Sequence, residues 1–290
     1  MKGIILAGGL GTRLHPSTIS TSKQLLPIYD KPLIYFPVTT LMSAGIEEIL
    51  MISTEECIPL YKKLFGNGGK FGIEISYAVQ DDPKGIAEAF IIGEEFLEKS
   101  HSTLILGDNI FYGGTLSEQL TEIRKSPSDG AKIFAYKVSD PERYGVVEFS
   151  DGLKVLSIEE KPVIPKSKFA VTGLYAYDPE VAQLAKSLKP SHRGELEITD
   201  LNNLYLKNGN LDVTLMSPGD AWLDAGTPDS LLEAAHFVQT IQNSQSIQIG
   251  CPEEIALKQN FISKEGFANL IKTAPKNKYG DHLRSLLLEL

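Results

Sequence analysis

A chain of 290 residues, 42% of them hydrophobic, can bury a large core, as one big domain or two smaller ones. Its net charge of -9 argues against a nucleic-acid surface, and no apolar run approaches the ~20 residues of a membrane span. The two cysteines, Cys57 and Cys251, lie far apart in no metal spacing; with the short apolar run at 4–7, too brief for a signal segment, they point to a cytoplasmic protein.

Strand-like and helix-like runs alternate from the start. GIILA (3–7) reads as a buried strand closed by glycines, LIYFPVTTLMSAGI (33–46) as a helix ending at Gly45, and EEILMIST (47–54) as the next strand. EISYAVQ (74–80) alternates as a strand, and PKGIAEAFIIGEEFLEK (83–99) has helical spacing. STLILGD (102–108) and AKIFAYKV (131–138) are further strands. This order predicts an α/β fold with a doubly wound, mostly parallel, Rossmann-like sheet. The pattern then changes. YGVVEFSDGLKVLSIEEKP (144–162) predicts a hairpin turning at Asp151-Gly152, and FAVTGLYAYDPEVAQLAKSL (169–188) a strand followed by a helix. Thr227-Pro228-Asp229 is a helix start with proline at the first turn, and all that follows reads helical. We therefore expect an α/β core with a β insertion over 1–226 and a helical appendage over 227–290.

The stretch LAGGLGTRL (6–14) places Gly8, Gly9 and Gly11 after the first strand. It fits neither the dinucleotide fingerprint, whose third glycine is Leu14 here, nor the P-loop, which needs a lysine after its last glycine. A tight strand-to-helix turn would explain the glycines alone. Arg13 and Lys23 favour a phosphate instead: backbone N–H groups converge without a Cβ in the way, and Arg13 supplies a rigid cationic fork. Lys23 by itself would be a solvated surface lysine. Asp108 ends a strand, where α/β sheets bind ligands, and Asp224 precedes the Thr227 helix start. Each could be a turn residue, but together, beside a phosphate loop, they suit Mg²⁺, which takes few carboxylates and completes its shell with water and phosphate. The five histidines show no metal or triad spacing.

These motifs carry a resemblance. LAGGLGTRLHPST, SKQLLPIYDKPLIYFPVTTLM, LGDNIFYG, DPERYGVVEF, EEKP, VTGLYAYD, RGELEITD and AWLDAGT are similar to the sugar-1-phosphate nucleotidyltransferases, and more narrowly to the thymidylyltransferases among them, from residue 1 to about 262. The resemblance implies attack of glucose 1-phosphate on the α-phosphorus of dTTP, with Mg²⁺ on Asp108 and Asp224. It implies a nucleotide site at Leu6, Gly8, Gly9, Gly11, Thr12, Arg13, Gln24, Gln80 and Gly85. It implies a sugar site at Asn109, Tyr144, Gly145, Glu160, Lys161, Val171 and Gly173, with Arg13, Lys23, Lys161 and Asp108 as catalytic residues. It also implies a homotetramer, built as a dimer of dimers, and a second site for dTDP-rhamnose, where CPEEIALKQNF carries Lys258 in place of the expected arginine.

Read from the residues alone, several of these positions keep simpler explanations. Neighbouring Glu160 and Lys161 should point to opposite faces of a strand end and form a solvated edge, Tyr144 could be core, and Gln80 a polar strand exit. A glutamine amide can flip, whereas the Gly85 N–H cannot, so the choice of thymine over cytosine should lie with the backbone at Gly85. The rivals to this reading are a uridylyltransferase of the same chemistry, a non-catalytic sugar-nucleotide sensor that has lost Asp108, Asp224 or Lys161, and an NAD-dependent enzyme.

Overall fold

The structure, a computed structural model, describes residues 1–9, 11–80 and 82–289. In chain order, β1 (Lys2–Leu6) leads through the glycine loop to a two-stranded ribbon, β2 (Pro27–Ile28) and β3 (Lys31–Pro32), and to α1 (Tyr35–Ser43). Then come β4 (Glu48–Ser53), α2 (Ile58–Phe65), β5 (Glu74–Val79), α3 (Glu88–Ile92), α4 (Glu94–Leu97), β6 (Ser102–Leu106), β7 (Asn109–Tyr112), α5 (Gly114–Lys125) and β8 (Ala131–Lys137). The second half holds β9 (Gly145–Phe149), β10 (Val155–Glu160), β11 (Phe169–Tyr177), α6 (Val181–Ser187), α7 (Ile198–Lys207), β12 (Leu211–Leu215) and β13 (Ala221–Asp224). Four helices close the chain: α8 (Pro228–Gln245), α9 (Pro252–Lys258), α10 (Lys264–Ile271) and α11 (Lys278–Leu288).

The main sheet is mixed. β5, β4, β1 and β6 run parallel in that order, and β11 then lies antiparallel to β6. On its other edge β11 pairs with β8, which pairs parallel with β12. The β9–β10 hairpin branches from the front of β11, where Ala170 opposes Val146. Both faces of the parallel half are covered, which is why its strands read as continuous apolar runs. Ile4 packs into one core with Leu50, Phe90 and Leu104, and its neighbour Ile5 into the other with Met51, Phe65 and Ile105. A third core, including Ile28, Phe36, Ala234 and Val238, seats α8 on the ribbon.

The doubly wound α/β class is the one the chain adopts, with two local departures. The helix expected over 83–99 is broken at Gly93, into α3 and α4. The hairpin does not turn on two residues: Leu153 N–H donates to the Ser150 carbonyl at 3.0 Å, Ser150 N–H to the Lys154 carbonyl at 2.9 Å, and Leu153, not Gly152, takes the left-handed backbone (φ 59°). A three-residue loop, ended by a left-handed residue, matches strand twist as a two-residue turn does. The helix start at Thr227 is as expected, with Thr227 and Ser230 capping each other.

Candidate active site

The site begins where β1 ends. Ala7 is fixed on both sides, its N–H donating to the Ile52 carbonyl at 2.8 Å and its carbonyl accepting from Ser53 Oγ at 2.9 Å. Beyond it the chain enters the loop, with Gly9 (φ 104°) and Gly11 (φ 57°) in backbone that favours glycine. Among the described residues, no acceptor takes the N–H groups of Gly8, Gly9, Gly11, Thr12 or Arg13. That leaves a row of donors for an anion. Gln24 closes the loop from below, its Oε1 accepting from Ser22 Oγ and its Nε2 reaching the Gly8 carbonyl.

Asp108 and Asp224 meet although 116 positions separate their numbers. β7 and β13 pair antiparallel with Asn109 opposite Asp224, and Ala225 N–H donates to the Asp108 carbonyl at 3.1 Å. Gly107 N–H donates to the Leu6 carbonyl at 2.9 Å, which ties this pair to the glycine loop. Lys23 is no surface lysine: it is buried and ion-paired with Asp108. Burial works against the Asp108 charge, but Lys23 outweighs it and holds the carboxyl below its ordinary range. Among the described residues Asp224 has no such partner. Burial and the facing Asp108 charge push it up to about 6, against the pull of Lys23, Arg13 and Arg143. Arg13 Nη2 and Asp224 Oδ1 both come within 3.3 Å of the point a Cβ on Gly226 would occupy.

A cleft of about 510 Å³ opens beside this pair. Arg13, Asn109, Tyr144, Gly145, Glu160, Lys161, Val171 and Gly173 all border it, along with both aspartates. Glu160 and Lys161 do not point apart as neighbours on a strand should. Lys161 has left-handed backbone (φ 44°), which breaks the alternation and turns both side chains to the cleft, 3.5 Å apart. Tyr144 leans on Trp222, ring centres 5.1 Å apart. Asn109 is committed to the frame: its Nδ2 donates to Asp108 at 2.8 Å, and its Oδ1 accepts from Trp222 Nε1 at 2.5 Å and Gly173 N–H at 3.2 Å. A Cβ on Gly173 would sit 2.5 Å from that same oxygen, so the bulged strand needs glycine there.

Sequence reasoning missed Arg143, Arg193, Glu197, Thr199 and Trp222 on this wall. Arg193 binds Glu197 through Nε (3.1 Å) and Nη2 (2.7 Å), and Thr199 donates to Glu160 at 2.6 Å. Arg193 holds Glu197 below its usual range despite burial. Arg143 and Trp222 complete the set. In the sequence RGELEITD stands out only as a family marker; its four charged residues in eight were the available signal.

Gln80 lies against Gly8, at the start of the glycine loop. Gln80 is 4% exposed, its N–H donating to the Ser53 carbonyl at 2.8 Å. Gly85 (φ 104°) is wedged against Leu196, whose carbonyl would stand 2.3 Å from an added Cβ; no described acceptor takes its N–H. A separate cavity of about 580 Å³ lies between α1, α5 and α9, where Lys258 pairs with Glu254.

The family model described as nucleotidyl transferase matches residues 2–241. A glucose-1-phosphate thymidylyltransferase from Neisseria meningitidis is 55% identical over 99% of this chain and 99% of its own length. One from Mycobacterium tuberculosis is 50% identical over the same shares. A Bacillus anthracis crystal structure, titled as a glucose-1-phosphate thymidylyltransferase in complex with sucrose, aligns with TM-score 0.76 and 45% identity over 82% of this chain and 94% of that one. A UDP-glucose pyrophosphorylase structure shares the fold, with TM-score 0.72 at 23% identity over 82% and 98%.

Proposed function

The chain belongs to the nucleotidyl transferase family, and from that premise we propose that it joins dTTP to glucose 1-phosphate, giving dTDP-glucose and pyrophosphate. The observation that carries the reading is the meeting of Asp108 and Asp224, through the β7–β13 ladder, at the mouth of a cleft lined by Lys161 and Arg193.

The sugar phosphate is already an anion, so its attacking oxygen needs no general base. A new P–O bond forms at the α-phosphorus as the bond to the pyrophosphate breaks. The protein's task is to bring two polyanions together in line. The loop N–H groups and Arg13 hold the triphosphate. Lys161, with Arg193 behind it, orients the sugar phosphate. Glu160 accepts from glucose hydroxyls, its second oxygen fixed by Thr199. Tyr144, Gly145, Val171 and Gly173 form the wall behind the ring. Two half-buried carboxylates, one raised by desolvation and by the other's charge, are a donor set that fits a hard divalent cation with few protein ligands. Asp108 and Asp224 would hold Mg²⁺, which when bound neutralises charge at the reacting phosphate. Lys23 pairs with Asp108. In solution the chain forms a homotetramer, a dimer of dimers, measurable by light scattering.

The test is pyrophosphate release from dTTP, dUTP, UTP and dCTP with glucose 1-phosphate. Release with dTTP is expected. A preference for UTP would make the chain a uridylyltransferase, and no release with any triphosphate would make it a sensor.

A further inference from the structure

We propose that Glu88, the first residue of α3, is a positioning residue that locks the Gln80 amide in one orientation and so lets Gln80 reject cytosine. The inference rests on the proposed function, with the base of dTTP placed at Gln80 and Gly85, the nucleotide-site pair that the resemblance implies.

Glu88 Oε2 lies 2.8 Å from Gln80 Nε2. An ionised carboxylate only accepts, so whichever end of the amide faces Glu88 must be the NH₂. The opposite orientation would set the amide oxygen against the carboxylate, two acceptors at hydrogen-bond distance with no proton between them. Glu88 is itself fixed as an acceptor by the Lys84 N–H, which donates to the same oxygen at 3.3 Å. On the other side, Gln80 Oε1 nestles against the bare Cα of Gly8, only 2.7 Å from where a Cβ would stand. No described residue donates to that oxygen. Gln80 therefore offers the base an acceptor and cannot exchange it for a donor.

Thymine and uracil carry an N3–H that such an acceptor takes. Cytosine carries a bare N3 lone pair, which meets the amide oxygen acceptor to acceptor. A flippable glutamine could have accommodated either ring, leaving all discrimination to the Gly85 N–H. With Glu88 in place, the side chain and the backbone both exclude cytosine.

The experiment compares kcat/KM for dTTP, dUTP and dCTP in the wild type and in Glu88→Leu. Releasing the amide should raise the dCTP:dTTP ratio by about 10–100-fold and leave the dUTP:dTTP ratio unmoved, because those two rings present the same edge. Glu88→Gln, whose carbonyl the Lys84 N–H would hold toward the same NH₂, should retain most of the discrimination. An unchanged dCTP:dTTP ratio, or a parallel fall for all three triphosphates, overturns the proposal. Should the leucine variant not fold, Glu88→Asp withdraws the acceptor by one methylene: a raised dCTP:dTTP ratio supports the lock, and an unchanged one overturns it. A wild type that does not use dTTP breaks the underlying reading instead, which is a separate result.

Discussion

The two walls of the site are built differently. The nucleotide wall comes from the ends of parallel strands β1, β4 and β5, and its contacts are mostly backbone: Ala7 to Ile52 and Ser53, Gln80 to Ser53, and glycines wherever a side chain would collide. The sugar wall comes from β9, β10, β11 and the segment before α7, and its contacts are side-chain pairs among Glu160, Lys161, Arg193, Glu197 and Thr199. Backbone can hold a chemically uniform tail such as a triphosphate. A sugar, whose hydroxyls differ only in direction, needs side chains arriving from several sides. The aspartates sit at the seam, where the β7–β13 ladder crosses from one wall to the other.

Substitutions can break that comparison at the seam or on one wall. The largest effect is expected at the seam. Asp108→Asn should cut turnover by about 10³-fold, with smaller changes in both KM values. Turnover within about twofold of wild type would remove Asp108 from the chemistry.

On the sugar wall, Lys161→Ala should lower kcat/KM for glucose 1-phosphate by about 100-fold, through both KM and kcat, with the KM for dTTP nearly unchanged. Weakened dTTP binding with an intact response to glucose 1-phosphate would put Lys161 on the other wall.

The seam also has a stability signature. The folded chain holds the Asp224 proton more tightly than the unfolded chain, whose carboxyl titrates near 3.8. Between those two values stability falls as pH rises, and above about 6 the full penalty applies. Asp224→Asn removes it, so the metal-free variant should be more stable than wild type by about 2 kcal/mol at pH 8, with little difference at pH 4. Thermal unfolding with chelator present measures this, and an equal or lower melting point at pH 8 would contradict the facing-charge account.

The smallest and most direct comparison pairs two glycines. Gly8→Ala displaces Gln80 Oε1, and Gly173→Ala displaces Asn109 Oδ1. Each should raise one KM by about 10-fold, that of dTTP for the first and of glucose 1-phosphate for the second. Variants that shift both KM values together would show that the walls are not separable.

The sequence alone determined the parts that lie contiguous in the chain. Strand and helix periodicity placed most elements from β1 to β11, and GGLGTR announced a phosphate loop, because the glycines, the arginine and the strand that presents them are one segment. Thr227-Pro228 marked its helix start for the same reason: a cap is a local interaction. Tertiary structure alone decided the rest. Taken alone, Lys23 reads as a surface cation until β6 brings Asp108 onto it, and Asp224 as a turn residue until β13 pairs with β7. Glu160 and Lys161 share a cleft only through one left-handed residue that periodicity cannot register. Glu88 is one residue within the helical run 83–99, and Arg193 one of several charges in RGELEITD; each gains its role from a partner in another segment or on the far side of the cleft. Period and propensity report on a residue and its near neighbours in the chain, whereas burial, charge pairing and the aim of a side chain depend on what folding places beside it.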